Sequence, residues 1–586
     1  MNRNVLLAVL LMSAVILVTN YLFPPPRPEP AGSARRDSVA AQAPASAAPA
    51  ARAPLPLPAA GAAQAPAREV VVRYPLYRYT FSTRGATLVG AELLRFPSQV
   101  QRGRPVDLVP EGVADFLAGR LVVGRDTLDL RGLPFQSSTP GVELGAGDAP
   151  RPLRFTYAGA DGVGVEVVYT FRPDQYLVDV RGRVTGVPGA ALLLTGLGTG
   201  LAVHEADPAR FRRDLAAVGY VNSGVETVGF HDLEGPRTVG GPLTWVGVKD
   251  KYFLAALVAG DRPAFRGLAL RPLPQARVTE GSGEEARTVL LPRARVEAVL
   301  PLAGDGAWSF QAYLGPQEHG RLVAVGYGLD EVNPYGYRWL RPVVRPIAGA
   351  ALWVLRELHD TLGVSYGWVL ILFGVMMKIL LWPLNAKAMR AQMKNMAVQP
   401  LMQEIQTKYR NDPQKQQEEM LRLYREHGFN PLAGCLPLLI PMPIFITLYF
   451  VFQSAIEFRG ESFWWLPDLS QKDPTYIIPL LFIGSTFLLQ WLSTKLSGME
   501  TNPQMKMMMY FLPVMMGAFF ITLASGLNLY YTASNLAGIP QQILIARERR
   551  QAQDELNAKK AAEAAAAKRP GPPGGTGGAR RVKRRG

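Results

Sequence analysis

One cation interrupts an otherwise apolar stretch of this chain. Residues 365–383 read SYGWVLILFGVMMKILLWP, and Lys378 is their single charged side chain. A helix of this length nearly spans a bilayer, where a charge costs at least about 2.5–3.5 kcal/mol, so an intramembrane lysine normally faces protein or water and serves a function. A lysine five residues before the end of the run can also bend its stem and reach the interface. Both interpretations stay open at this point.

Polar side chains in two later apolar runs favour the first interpretation. At ~1.5 Å per helical residue, Gln490 lies about as deep as Lys378, and Thr486 lies one turn above Gln490. The last run is unusually polar in its outer half, at Asn528, Tyr530, Tyr531, Thr532, Ser534 and Asn535. We expect these groups to line a wet, cationic recess. The alternative is that they only hydrogen-bond across helices as packing contacts.

Five apolar runs must position these groups. Besides the Lys378 helix they are residues 431–458, 476–492, 507–523 and 527–545, each about long enough to span a bilayer, so residues 363–546 predict a five-helix core.

An earlier apolar run, residues 1–23, carries only Arg3 as a charge and has no small-residue cleavage site. It predicts an uncleaved anchor with a cytoplasmic N-terminus, which leaves residues 384–430 and the C-terminal tail cytoplasmic too.

A different pattern separates the anchor from the core. Residues 24–68 are rich in Pro and Ala and predict a linker without a core. Residues 69–328 alternate between apolar and polar side chains in short runs that Gly, Pro and Asp clusters interrupt, which predicts an all-β sandwich outside the cytoplasm. The clearest strand candidates are residues 70–81, 164–171, 176–184 and 252–257.

The segment at residues 329–362 mixes arginines with aromatic and aliphatic side chains, which is typical of a headgroup layer. We expect Pro342 and Pro346 to break any long helix there, so that a short interfacial stretch leads into a helix. A plain connector is the alternative.

Residues 384–430 predict a helical hairpin. Asp412 followed by Pro413 is a helix start, and Pro400 should kink the first arm. The hairpin residues singled out as candidate contacts are Met393, Met396, Met402 and Tyr424. Pattern alone does not decide whether the hairpin is a solvated surface or receives another chain.

No catalytic constellation is evident in the 586 residues. The sandwich histidines His204, His231 and His319 lack metal-ligand spacing, and the single Cys435 excludes an internal disulfide framework. We therefore predict that the protein is not an enzyme and needs no metal or cofactor. The net charge is +16, and much of the excess lies in the tail at residues 547–586.

Three motifs resemble the YidC membrane-protein insertase family. They are KILLWPLNAKAMRAQMKNMAVQPLMQEIQTKY at 378–409, NPLAGCLPLLIPMPIFITLY at 430–449 and FLPVMMGAFFITLASGLNLYYTASNLAGIPQQ at 511–542. The anchor and large β domain resemble the Gram-negative form. The resemblance implies a bacterial inner-membrane protein with an N-terminal anchor, a periplasmic β-supersandwich, a five-helix insertase core and a cytoplasmic hairpin.

The resemblance also implies a mechanism. The core would enclose a hydrophilic groove open to cytoplasm and lipid, with Lys378 at its cationic position and Tyr531 at a substrate-contacting position. The family residue is most often arginine, whereas a lysine is a point charge whose pKa can fall on desolvation. Whether this makes the attraction of acidic segments weaker or pH-sensitive stays open at this point.

The partners implied are nascent membrane proteins, the Sec translocon, anionic lipids and, through the basic tail, the ribosome, with the chain working as a monomer. Three other classes are weighed. A carbohydrate-binding or mutarotase-like enzyme would place a carboxylate and a histidine together in the β domain, where no convincing set is found. A transporter should show internal repeats, which the sequence lacks. A translocon-associated scaffold without insertion activity would use the β domain and hairpin but would not need the groove.

Overall fold

The computed structural model describes most of the chain after residue 65. The described residues are 66–551 except 125, 160–161, 188–190, 223, 261–263, 281–286, 334, 337–339, 387–400, 403, 427–441, 498–502 and 549, together with 558 and 561. The predicted anchor, nearly all of the linker, the Pro400 kink, Cys435 and most of the basic tail lie outside these residues.

Twenty strands form the first part of the described chain. They are β1 Glu69–Tyr74, β2 Tyr77–Ser82, β3 Thr87–Pro97, β4 Pro105–Asp107, β5 Phe116–Val123, β6 Asp126–Asp129, β7 Gln136–Ser137, β8 Gly141–Glu143, β9 Arg151–Ala158, β10 Gly164–Phe171, β11 Leu177–Thr185, β12 Ala191–Leu197, β13 Ala216–Val221, β14 Gly224–Gly229, β15 Arg237–Leu243, β16 Trp245–Lys249, β17 Phe253–Val258, β18 Phe265–Glu280, β19 Arg287–Pro301 and β20 Ala307–Pro316. The strand candidates at 164–171, 176–184 and 252–257 are confirmed as β10, β11 and β17, whereas residues 70–81 form a hairpin of two strands, β1 and β2, instead of one strand.

These strands form two large, mainly antiparallel sheets. One runs β15-β18-β19-β12-β5-β3-β2-β1-β8, with β4 beside β3 and β6 beside β5, and the other runs β14-β13-β16-β17-β20-β11-β10-β9-β7. Aromatic side chains fill the space between them: the rings of Phe81 and Tyr169 lie 4.6 Å apart, and the Tyr79 hydroxyl donates to the Leu314 carbonyl at 2.8 Å. The predicted sandwich is therefore observed.

Two short helices belong to the sandwich and seven follow. They are α1 Pro208–Asp214, α2 His319–Val325, α3 Arg341–Leu362, α4 Tyr366–Leu380, α5 Pro413–Glu426, α6 Met442–Ser454, α7 Ile477–Ser497, α8 Pro503–Phe520 and α9 Ser525–Ala537. Among the described helices, none combines the length and hydropathy expected of a membrane span. The five-span core thus stays a prediction.

The prolines of α3 do not break it, so that prediction was wrong. Pro342 lies in the first turn, where a backbone N–H has no helical acceptor, and Pro346 removes one hydrogen bond near the helix start. Tertiary packing outweighs that loss, because one face of α3, including Val344, Ala348 and Leu355, is buried against α4 and α6.

Helices α4 and α9 run in the same direction. A methyl group on Gly374 would lie 3.5 Å from Cβ of Ala533, and one on Gly538 would lie 2.7 Å from Cε of Lys378. Later residues of α4 therefore meet later residues along α9. Glycine at 374 lets the two backbones approach closely, as small residues do at helix interfaces.

A buried arginine joins the sandwich to the helices. Arg459 follows α6, its side chain is 1% exposed, and its Nε donates to the Glu205 carboxylate at 2.7 Å. Its other nitrogens donate to the carbonyls of Pro97 at 3.0 Å and His204 at 3.5 Å. Next to it, Nε2 of His204 lies 2.8 Å from a carboxylate oxygen of the buried Asp250.

Arg459→Ala should loosen this junction, because it leaves the Glu205 carboxylate without its counter-charge. Removing one partner of a buried ion pair costs about 3–5 kcal/mol. We expect faster amide hydrogen exchange at residues 98–99 and 204–206, with exchange in the sandwich centre unchanged.

The matched control is Arg183→Ala. Arg183 and Asp305 form an ion pair with side chains 57% and 55% exposed, so its loss should change exchange little. Equal exchange at the junction in wild type and Arg459→Ala would show that Arg459 does not hold the two parts together.

Candidate functional site

Lys378 lies in a notch of the neighbouring helical segment. Its Cε and Nζ would be 2.7 and 3.0 Å from a methyl group on Gly538, so any larger residue at 538 would require the end of the lysine side chain to move. The side chain is half-buried and forms no ion pair or hydrogen bond with another described residue. The ammonium is therefore held among helices without an anionic partner in the described chain. The sequence indicated a buried lysine but not which residues would surround it.

A polar cluster connects α7 and α9. The Asn535 amide donates to Ser485 Oγ at 3.1 Å and to Thr486 Oγ1 at 2.9 Å, and Thr486 donates in turn to the Phe482 carbonyl. Thr486 and Asn535 therefore touch, and Lys378 of α4 packs against Gly538, which follows Asn535 by about one turn. These bonds also serve as interhelical packing contacts.

Gln490 lies one turn after Thr486 on α7 and is exposed. Because α7 runs parallel to α9, with Phe482 beside Tyr531 and Thr486 beside Asn535, Gln490 reaches about the level of Gly538. That is also the level of Lys378. The similar depth expected from counting residues agrees with this arrangement, although the two side chains lie on different helices.

Tyr531 sits in an aromatic cluster. Its ring centroid lies 5.3 Å from Phe445 of α6, 6.3 Å from Phe482 of α7 and 5.5 Å from Phe520 of α8. Its hydroxyl is buried without a hydrogen-bond partner among the described residues. Burying a hydroxyl without a hydrogen bond is costly.

Other polar residues of the last run stabilise the helix itself. Asn528 is buried and donates to the carbonyls of Phe520 and Ala524, and Thr532 donates to the Asn528 carbonyl. Gln541 donates to the Trp382 carbonyl at 3.1 Å and so joins the ends of α4 and the last helical segment. The sequence analysis expected all of the polar side chains of this run to line one recess. Asn528, Thr532 and Gln541 instead bond to backbone carbonyls within or between helices.

The described residues include part of the segment predicted to form a hairpin, and the hairpin itself stays a prediction. Asp412 caps α5 by accepting from the Lys415 backbone N–H at 3.1 Å, as its position before Pro413 predicted. Met402 and Tyr424 are partly buried on helical residues either side of this turn. Met393 and Met396 lie outside the described residues.

Sequence reasoning missed the junction between sandwich and helices. Arg459 and Glu205 are 254 residues apart, and neither stands out locally. The one available signal was the charged triplet Lys249-Asp250-Lys251 between two apolar strands, which is unusual in a sandwich core. Among the described residues, no group of three or more His, Cys, Asp or Glu side chains could hold a metal ion.

Two protein-family models match this chain, one over the sandwich and one over the helices. The family model described as the YidC periplasmic domain matches residues 69–350, and that described as the 60 kDa inner membrane protein matches residues 357–553.

Among curated relatives, the protein named membrane protein insertase YidC of Geobacter metallireducens is 30% identical over 93% of this chain and 98% of its own length. That of Syntrophus aciditrophicus is 28% identical over 94% of this chain and 100% of its own. A crystal structure titled as an active YidC insertase with its first transmembrane domain resolved is 18% identical, with a TM-score of 0.31, and covers 81% of this chain and 92% of that one. From the identity and coverage of these relatives, the chain belongs to the YidC membrane protein insertase family.

Proposed function

We propose that this protein inserts nascent membrane proteins through a recess bounded by α4, α7 and α9. The observation that carries the proposal is the Lys378 ammonium, which lies in the Gly538 notch without an anionic partner in the described chain, beside the Asn535–Thr486 pair. A stable, closed bundle would gain nothing from an uncompensated charge there. A groove that must attract a polar segment would.

The mechanism follows from electrostatics and path length. The ammonium attracts acidic residues in the outer tail or loop of a substrate, and the polar groups of Asn535 and Thr486 replace part of its lost hydration. Exposed apolar side chains such as Leu480 and Leu488 on α7 and Leu536 on α9 then offer a surface along which the substrate's apolar segment slides into lipid. The polar segment crosses a shorter hydrocarbon path, and no chemical step is needed.

The remaining parts fit this role in the topology we propose. The N-terminal anchor, the hairpin and the tail meet the cytoplasm of a bacterial inner membrane, and the sandwich lies in the periplasm. The hairpin around Asp412 receives the nascent chain, and the basic tail binds the ribosome and anionic lipid through phosphate contacts. The chain acts as a monomer, alone or beside the Sec translocon.

Lys378→Ala should reduce insertion about tenfold, the change that corresponds to losing ~1.4 kcal/mol of attraction. The measurement is protease protection of a newly synthesised one- or two-span substrate with an acidic outer segment, in proteoliposomes of the purified chain. Lys378→Arg should retain activity, because it keeps the charge and adds donors suited to carboxylates.

Lys495→Ala is the matched control for this test. Lys495 is an exposed lysine of the same bundle, on α7, with its ammonium 4.7 Å from the Trp491 ring centroid, and its loss should leave insertion unchanged. If folded wild-type protein inserts nothing beyond empty liposomes, the chain is instead a scaffold that depends on the translocon.

Asn535→Leu separates a wet recess from packing contacts. The substitution keeps the side-chain size but removes the bonds to Ser485 and Thr486. If the amide serves the recess, insertion of the acidic substrate should fall while the thermal midpoint changes little, since interhelical hydrogen bonds average only ~0.6 kcal/mol. A lowered midpoint with normal insertion at low temperature would assign these bonds to packing alone.

A further inference from the structure

A cleft opens where the sandwich meets the helices. It consists of two adjoining cavities of about 920 and 660 Å³ that share Arg210, Arg213, Asp214, Lys251 and Gln453. The sandwich side is formed by α1 and the turn between β16 and β17. The helix side is formed by the end of α6, the loop before α7 and the end of α8. The cleft is separate from the recess around Lys378.

Five cations line this cleft, and none lies within 4.0 Å of a carboxylate oxygen of the described residues. They are Arg210, Arg213, Lys249, Lys251 and Lys472. Their visible partners are neutral: Arg210 donates to the Gln453 side chain, Lys249 donates to Asn333 Oδ1 at 2.7 Å, and Lys251 donates to the Tyr252 hydroxyl. The positive charge of the cleft is therefore not neutralised by ion pairs within the described chain.

The carboxylates in the cleft have other donors or are destabilised as anions. Glu205 binds Arg459, Asp207 accepts from the backbone N–H of Arg210, and Asp250 accepts from those of Tyr252 and Phe253. The exposed Asp232 has an oxygen 3.3 Å from Nε2 of its neighbour His231.

Burial raises the pKa of Asp214 and so favours its neutral form. Burial also lowers the pKa of Lys249 to about 8 and, together with repulsion from Arg210, that of Lys251 to about 7. A bound anion would stabilise the charged forms of Lys249 and Lys251, which desolvation disfavours.

One rim of the cleft is apolar and continues along a helix. Tyr476 at the start of α7 is 48% exposed, and Phe519 near the end of α8 is 51% exposed. Exposed Phe511, Val514 and Met515 extend the Phe519 face along α8 at helical spacing. A ligand that fits both parts has an anionic head in the cleft and hydrocarbon chains along α8.

We propose that this cleft binds the phosphate of an anionic phospholipid, with the headgroup between Arg210 and Lys251 and the acyl chains along α8. The inference rests on the proposed function, whose topology puts the cleft at the headgroup level of the outer leaflet. A bound lipid would fix the sandwich against the helix ends by bridging cations of the sandwich and an apolar face of the bundle. A soluble acidic peptide would leave the α8 face unused.

The test is thermal unfolding of the purified full chain in neutral detergent with short-chain phosphatidylglycerol. We expect the midpoint to rise with the logarithm of free lipid above saturation, as linkage requires, and not to rise with short-chain phosphatidylcholine or inorganic phosphate. Lys251→Met should abolish the shift, as should Arg210→Gln, which tests the same site without removing a buried charge. Lys495→Ala, which removes an exposed lysine outside the cleft, should keep it.

Other outcomes would overturn the proposal. An equal shift with inorganic phosphate would reduce the cleft to a phosphate site, and a shift with an acidic peptide but not with phosphatidylglycerol would make it a peptide site. A shift that survives both cleft substitutions would place the lipid elsewhere. Insertion measured on the same wild-type preparation separates the two proposals: protein that inserts substrate yet shows no lipid shift loses only the lipid site.

Discussion

The ion pair between Arg459 and Glu205 is the contact on which the arrangement of the two parts depends. It is buried, and the remaining guanidinium donors reach carbonyls of the sandwich, so its charge and its hydrogen bonds are satisfied together. Gln99 adds a neutral contact by donating to Asp468 at 2.8 Å. A junction of this kind resists rotation, because turning either part leaves a charge buried alone.

Against this fully paired junction, two lysines stand out because they have no carboxylate partner in the described chain. Lys378 and Lys251 are both held in partly desolvated positions without a carboxylate partner among the described residues, one between helices and the other between sandwich and helices. In each case the protein places a cation where an acidic visitor would be bound more strongly than in water. One cation suits a transient polypeptide segment, and the cleft with several cations and an apolar rim suits a lipid that stays.

Prediction succeeded where the signal is local. The strand at 164–171 follows from alternation, the one at 252–257 from a short apolar run that is buried on both faces, and the start of α5 from Asp412 and Pro413. These patterns act within a few residues. The prolines of α3 led to a wrong prediction of a broken helix, because the sequence does not show how much of the α3 surface is buried by α4 and α6. The role of Tyr531 came from family resemblance, and its aromatic surroundings from four different helices could not be read from spacing.

The sequence by itself determined the classes of element, the sandwich, the apolar helices and the single lysine of the apolar run at 365–383, because hydrophobic period and charge cost are properties of short segments. Only the tertiary structure decided which groups meet. It placed Lys378 against Gly538, Asn535 against Thr486, and Arg459 against Glu205, pairs separated by as many as 254 residues. Such pairs depend on how whole helices and sheets pack, and packing is fixed by the sum of many small contacts that no single stretch of sequence contains.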